Sequence, residues 1–210
     1  TDMISNQIIQ TSIDELKTIT KVDIYVFDLD GIKVAATTED IEISREIITG
    51  FAASPADSQV VGGYHFLKVL DDSEVAYVLA SRSNNDDAYM VGKIAVSQIQ
   101  NLIIAYKERF DRNNFFQNLL LDNLLLVDIY NRAKKLHIEV TVPRVVLIVE
   151  TEKERDSTAA EFLGGLFSSQ SGDFITAIDE SSVILIKSLE PGEGYETVEQ
   201  TANMIVDMMN

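Results

Sequence analysis

The chain has 210 residues, 17 Lys plus Arg against 34 Asp plus Glu, and so a formal net charge of −17; 46% of residues are apolar and there is no Cys and no Trp. This composition excludes a disordered tail, which would be poorer in apolar residues, and it excludes disulfide scaffolds and Cys-ligated zinc. The acidity argues against a polypeptide that grips a phosphate backbone, because that needs clustered Lys and Arg. The charge is uneven: residues 1–90 carry six basic and sixteen acidic side chains, residues 91–140 seven and five, and residues 141–210 four and thirteen.

Residues 4–20 space Ile4, Ile8, Ile9, Ile13, Leu16 and Ile19 on one helical face. Val22–Asp28 reads as a strand, Leu29-Asp30-Gly31 as a turn and Ile32–Ala36 as a second strand. A short helix over Ile41–Ala53 ends at Ser54-Pro55. Val60–Leu70 and Glu74–Arg82 read as two strands of a hairpin around Asp71-Asp72-Ser73, followed by a polar loop, Ser83–Asp87, whose acids can cap the next helix.

That next helix, from about Tyr89 to Phe110, places Val91, Ile94, Ala95, Ile99, Leu102, Ile103, Tyr106 and Phe110 on one broad stripe, with Val96 and Ile104 off it. A stripe this wide suits two contacts, the preceding sheet and a partner helix, so a homodimer through Tyr89–Phe110 is expected. Polar Asp111–Asn114 reads as a break and a domain boundary. A second helical stretch follows over Phe115–Leu136, then a strand Arg144–Glu150, a helix near Ser157–Phe167, strands Phe174–Ile178 and Val183–Leu189, and a last helix Tyr195–Met209. From Arg144 the order is βαββα, one strand short of a ferredoxin-like βαββαβ unit, which reads as a unit truncated at its C-terminus. The fold class expected is α+β. A PAS-like or Cache-like antiparallel-sheet sensor over residues 1–112 is joined by long helices to a ferredoxin-like domain over residues 113–210. No run reaches the ~20 apolar residues of a membrane span and no basic n-region opens the chain, so a cytoplasmic protein without a membrane partner is expected.

Two readings of chemistry compete at Asp28-Leu29-Asp30-Gly31. A hydrophobic strand ending in D-x-D-G resembles the first motif of haloacid-dehalogenase-type phosphatases. That resemblance would make Asp28 the nucleophile and Mg²⁺ ligand and Asp30 the acid/base, with Gly172, Asp173 and Asp179 as a later metal-binding stretch. The same four residues are ordinary turn chemistry between two strands, Gly31 supplying the positive φ, and this reading is preferred. Phosphate-loop, dinucleotide, nucleophile-elbow and zinc-protease motifs are absent from the sequence. No cofactor or metal is expected. His137 closes a helix beside Lys134 and Lys135, a structural place for a cation. His65 shares a strand face with Val61, Leu67 and Val69, either as a hydrogen-bonded core residue or as a donor in a ligand pocket. The candidate ligand-binding set is Tyr25, His65, Lys68 and Arg82, with Tyr77 nearby; Arg82 could clamp a carboxylate or pair with Asp86 or Asp87.

The run Phe115–Asn123, then Ala133–Ile138, then Val142–Ile148, resembles the start of the degenerate GGDEF-like domain of the sugar-diacid regulator (CdaR) family, related to the PucR-type transcription regulators. Ile4-Ser5-Asn6-Gln7 through Asp28-Leu29-Asp30-Gly31 is similar to that family's diacid-recognition domain. The resemblance implies a non-enzymatic sensor of a small metabolite such as a sugar acid, a GGDEF-like domain, and DNA contact through a C-terminal helix-turn-helix domain that this chain lacks. The turn that corresponds to the cyclase signature, Ile178-Asp179-Glu180-Ser181-Ser182-Val183, has no glycines, which implies no cyclase activity.

Overall fold

The computed structural model describes residues 4–151, 163–167, 172–177 and 181–209. The chain divides into two compact units, Thr1–Lys107 and Glu108–Asn210. The sequence-based boundary at 112/113 and the unit boundary both fall within one helix, described below.

The first unit begins with helix α1 (Asn6–Thr20). The Ser5 hydroxyl accepts the Gln7 amide at its start, and Lys21, at φ 63°, ends it by donating its amide to the Lys17 carbonyl. Its buried stripe is Ile9, Ser12, Ile13 and Leu16. Strands β1 (Asp23–Phe27) and β2 (Lys33–Ala36) form a hairpin, followed by helix α2 (Arg45–Ala53), β3 (Ser58–Val61), β4 (Tyr64–Asp71) and β5 (Glu74–Arg82). The sheet is antiparallel throughout, in the order β2-β1-β5-β4-β3. The first strand thus lies beside the last, with Asp23 opposite Arg82 and Tyr25 opposite Ala80.

The segment Val60–Leu70 is not one strand. Gly62 and Gly63, at φ 57° and 82°, form a two-residue loop between the paired residues Val61 and Tyr64. Two successive positive φ angles are what a type I′ hairpin requires, and Gly-Gly supplies them without a Cβ penalty. His65 therefore lies on a different strand from Val61, paired with Val60 on one side and Ser81 on the other.

Alternation along the strands sorts the core into two layers. On one face Ile24, Val26, Leu67, Val69, Tyr77 and Leu79 pack with the buried stripes of α1 and of helix α3 (Ala88–Leu120). On the other, Tyr25, Phe27, Tyr64, Phe66, Val78 and Ala80 pack with Ile48 and Phe51 of α2.

Helix α3 corrects two expectations. Its core stripe is Val91, Ala95, Val96, Ile99 and Ile103; Ile94 and Phe110 stay 47% and 41% exposed. At about 100° per residue, Ile94 lies well outside the arc that faces the sheet. The polar run Asp111–Asn114 does not break the helix, because Asp, Arg and Asn without Gly or Pro continue a helix on an exposed face. The helix stops later. Asp122 adopts φ 56°, the Asn123 amide reaches the Asn118 carbonyl and the Asp122 amide the Leu119 carbonyl. This is the Schellman pattern with Asp in the left-handed position. The expected single stretch Phe115–Leu136 is therefore two pieces, the end of α3 and α4 (Leu126–Lys135). His137 closes α4 in the same way, at φ 56°, with Ile138 bonded to Ala133 and His137 to Lys134.

The rest of the second unit is β6 (Arg144–Glu150), β7 (Phe174–Ala177), β8 (Ser182–Ser188) and α5 (Tyr195–Met209). The sheet order is β6-β8-β7, with β8 antiparallel to both neighbours. Two parallel strands separated by an antiparallel third form the split βαβ of ferredoxin-like sheets. One face packs Val183 and Leu185 with Leu163 and Ile205; the other packs Phe174 and Ile186 with Phe115, Phe116 and Ala133. On α5, Met209 packs on the Leu163–Ile205 core while Met204 and Met208 remain exposed. Residues 163–166 are helical; the remainder of the helix expected near Ser157–Phe167, and Ile178-Asp179-Glu180 of the cyclase-signature turn, lie outside the described residues. Among the described residues no helix is long and apolar enough to cross a membrane.

Candidate functional site

A polar cavity of about 270 Å³ opens in the first unit where α1 ends, β1 begins and β5 ends. Its position follows from the β1–β5 pairing. Asp23 and Arg82 face each other across the two strands, and Lys17 and Lys21 arrive from the last turn of α1. The Lys17 ammonium pairs with the Asp23 carboxylate at 2.7 Å and also donates to the Lys21 carbonyl. Asp23 is further held by the Thr37 hydroxyl at 3.0 Å. The Lys21 ammonium donates to a backbone carbonyl, that of Thr18, at 3.0 Å. Asp40 brings the second carboxylate of the cavity wall.

Tyr25 is 1% exposed and donates its hydroxyl to the Asp40 carbonyl at 3.1 Å. Its ring meets Tyr64 edge-on, 5.7 Å between centroids. Arg82 donates to the Tyr64 hydroxyl at 2.9 Å and lies 5.2 Å from the centre of that ring. It is therefore oriented by Tyr64, not by Asp86 or Asp87. A guanidinium laid on an aromatic face keeps its remaining donors for another acceptor.

Burial raises the Tyr25 phenol to about 12 from its ordinary 10.0, with Tyr64 and Asp23 adding to the effect and Arg82 opposing it. Burial, with Asp71 and Asp28 nearby, also raises the Tyr77 phenol. Tyr25 thus remains a neutral donor throughout the neutral range. The folded chain holds this proton more tightly than the unfolded chain does. Its contribution to stability is complete below pH about 10 and is lost as pH rises from there toward about 12. The loss expected is on the order of 2–3 kcal/mol. Urea midpoints measured from pH 9 to 11.5 should fall more steeply for the wild type than for Tyr25→Phe, which carries no phenolic proton.

The four candidate residues separate. Tyr25 and Arg82 line the cavity. Lys68 lies on the same face of the sheet but farther along it, where it donates to the Ser54 carbonyl at the end of α2 and sits 5.3 Å from the Phe51 ring centre. His65 is on the opposite face, its ring 6.0 Å from that of Tyr89. Lys17, Lys21, Asp23 and Asp40 were not anticipated. Two lysines four apart at a helix end were visible, but only the pairing of the first strand with the last makes them neighbours of Arg82.

The phosphatase reading does not survive the geometry. One Asp28 carboxylate oxygen accepts the amides of Asp30 and Ile32 at 3.0 and 2.8 Å, and Gly31, at φ 77°, completes the turn. The carboxylate is occupied in holding a hairpin of an antiparallel sheet, whereas that chemistry uses a parallel, doubly wound one. Asp173 likewise accepts the Ser188 amide at 3.0 Å, and Asp179 lies outside the described residues. Among the described residues, no three acidic or histidine side chains gather as a metal site would require.

The family of GGDEF-like domains matches residues 123–208. No curated protein matches the chain. Among solved structures, PelD 158-CT from Pseudomonas aeruginosa PAO1 in complex with c-di-GMP aligns with 96% of this chain and 75% of its own at 13% identity, with a TM-score of 0.37. A second crystal structure of PelD 158-CT from Pseudomonas aeruginosa PAO1 aligns with 95% of this chain and 74% of its own at 12% identity and TM-score 0.37. Apo PelD 156–455 from strain PA14 aligns with 95% and 72% at 14% identity and TM-score 0.36. Helix α4, the three-stranded sheet and most of α5 fall within the matched segment, so residues 123–208 of the second unit are similar to GGDEF-like domains.

Proposed function

We propose that the chain is the sensing and dimerising part of a bacterial transcription regulator of the sugar-diacid regulator type. Its PAS-like first unit binds a small hydroxylated carboxylate such as a sugar acid. One observation carries this reading: residues 1–90 hold only six basic side chains against sixteen acidic ones, and three of the six, Lys17, Lys21 and Arg82, line a single cavity. Lys17 is neutralised by Asp23, so Lys21 and Arg82 supply the positive field, while Tyr25, Thr38 and Asp40 offer partners for ligand hydroxyls. In this reading the protein is cytoplasmic and non-enzymatic. The GGDEF-like domain transmits or stabilises rather than catalyses, consistent with Asp-Glu-Ser-Ser where a cyclase carries glycines. DNA contact belongs to a helix-turn-helix domain outside this chain.

A ligand that binds only the folded state raises the melting temperature by mass action. A thermal-shift panel of three- to six-carbon hydroxy acids, sugar diacids such as D-glucarate, neutral sugars and guanine nucleotides tests the reading. Upward shifts confined to the acids are expected. Shifts produced by neutral sugars or nucleotides alone, or by none of the panel at millimolar concentration, overturn it.

A further inference from the structure

Helix α3 presents two faces. One packs on the sheet, as described above. On the other, Met90, Ile94, Ser97, Asn101, Ile104 and Glu108 follow one another at spacings of four and three, and every one of them is exposed. Met90, Ile94 and Ile104 are 59%, 47% and 55% exposed. Three–four spacing puts all six on one face, and Met90, Ile94 and Ile104 give that face the apolar side chains that a helix–helix seam would bury.

The composition of this seam has a direction. Lys93, beside it, and Glu108, its last member, make no ion pair among the described residues, in contrast to Lys107, which pairs with Asp71 at 2.6 Å. Laid against a parallel copy of itself, Glu108 would face Glu108 across the seam, and like charges there are unfavourable. An antiparallel copy centred near Ile99 gives a different set of neighbours. Ile94 meets Ile104 twice, Ser97 meets Asn101 twice with their hydrogen-bonding groups matched, and Glu108 comes beside Met90 and Lys93. The face is therefore complementary to itself under a two-fold axis, as an isologous interface requires.

We infer that the exposed face of α3 takes a second copy of this chain in antiparallel orientation, with Ile94 packed on Ile104 and Lys93 paired with Glu108 of the other copy. The inference deepens the dimer reading above by naming the face and its direction, and it makes no use of the ligand.

The chain has no cysteine, so introduced cysteines report on the seam alone. Met90 and Glu108 lie about 27 Å apart along the helix at 1.5 Å per residue. In an antiparallel pair each sits beside the other's counterpart; in a parallel pair each sits beside itself. Under mild oxidation without any added ligand, the double variant Met90→Cys/Glu108→Cys should form a covalent dimer, while each single variant stays uncrosslinked. Dimers from both single variants would mean parallel packing and overturn the proposal, as would no crosslink from any of the three. Charge reversal provides a second reading at two surface positions that leave the core intact. Lys93→Glu and Glu108→Lys should each weaken self-association in analytical ultracentrifugation about threefold or more, and the double reversal should restore it. Failure of the double reversal to restore association overturns the pairing. Failure of the acid panel to shift the melting temperature, with these crosslinks intact, would sink the sensor reading alone.

Discussion

Gly92→Val destabilises the first unit by about 2–3 kcal/mol, enough to lower its melting temperature by many degrees. Gly92 lies in the second turn of α3, where the helix comes closest to the sheet. A Cβ built there would stand 2.7 Å from Leu67 Cδ1 and 2.7 Å from Ser81 Oγ, with Ser81 Cβ at 3.4 Å. Neither neighbour has room to give. Leu67 is 2% exposed in the middle of β4, and Ser81 is fully buried with its hydroxyl donated to the Ala88 carbonyl at 2.6 Å. Moving Ser81 would leave its buried hydroxyl without its acceptor, and moving α3 would open the layer that holds Val91, Ala95 and Ile99. Alanine alone would gain about 1 kcal/mol of helix propensity, which sets helix preference against the clash; valine adds two methyl groups to the clash and gives up that gain. Gly50, in the middle of α2, has nothing within 4 Å of its added Cβ. Gly50→Ala should therefore stabilise by about 0.5–1 kcal/mol, separating the effect of contact from that of backbone freedom. Thermal melts of the two variants beside the wild type check both signs.

The contrast between those glycines shows what a sequence conveys and what it leaves open. Local chemistry was readable. The Asp28–Gly31 turn, the Asp71–Ser73 hairpin, the Ile9, Ile13 and Leu16 part of the α1 stripe (Ile8 and Ile19 are exposed), the end of α2 before Pro55 and the closing role of His137 each depend on residues within a few positions of one another. Gly62-Gly63 was equally local, yet the apolar run around it hid a two-residue turn. The continuity of α3 through Asp111–Asn114 was harder to see, because polarity marks exposure and not helix ending; the stop came from Asp122 entering the left-handed region. Long-range pairing was not readable. Nothing in the sequence says that the first strand lies beside the fifth, and that one pairing brings Asp23 to Arg82 and gathers the cavity. Tyr25 and Arg82 share the cavity because β1 and β5, which carry them, are paired. Nothing local in the sequence singles out Lys17 and Lys21. His65 and Lys68, three apart on β4, take opposite faces of the sheet, so one pocket cannot hold both.

That separation of the candidate residues sets up the largest functional contrast. Arg82→Gln should weaken binding of any acid found by the thermal-shift panel roughly 10- to 100-fold, the usual effect of losing a charge-assisted hydrogen bond to a carboxylate. Lys68→Met should leave that affinity within about twofold, because Lys68 caps α2 at Ser54 and does not line the cavity. The arginine is exposed, and glutamine keeps a donor for the Tyr64 hydroxyl, so the variant retains the fold while losing the positive charge. Lys21→Gln should fall between the two, since its ammonium is already bonded to the Thr18 carbonyl and must turn to meet a ligand. Isothermal titration of the same acid into the four proteins gives the order directly. If Lys68→Met matched Arg82→Gln, the ligand would have to sit against α2, over Phe51, and not at the β1–β5 end of the sheet. If no variant changed the affinity, the acid would bind somewhere else, and the three cations around Tyr25 would be only a local counterweight to the acidity of the chain.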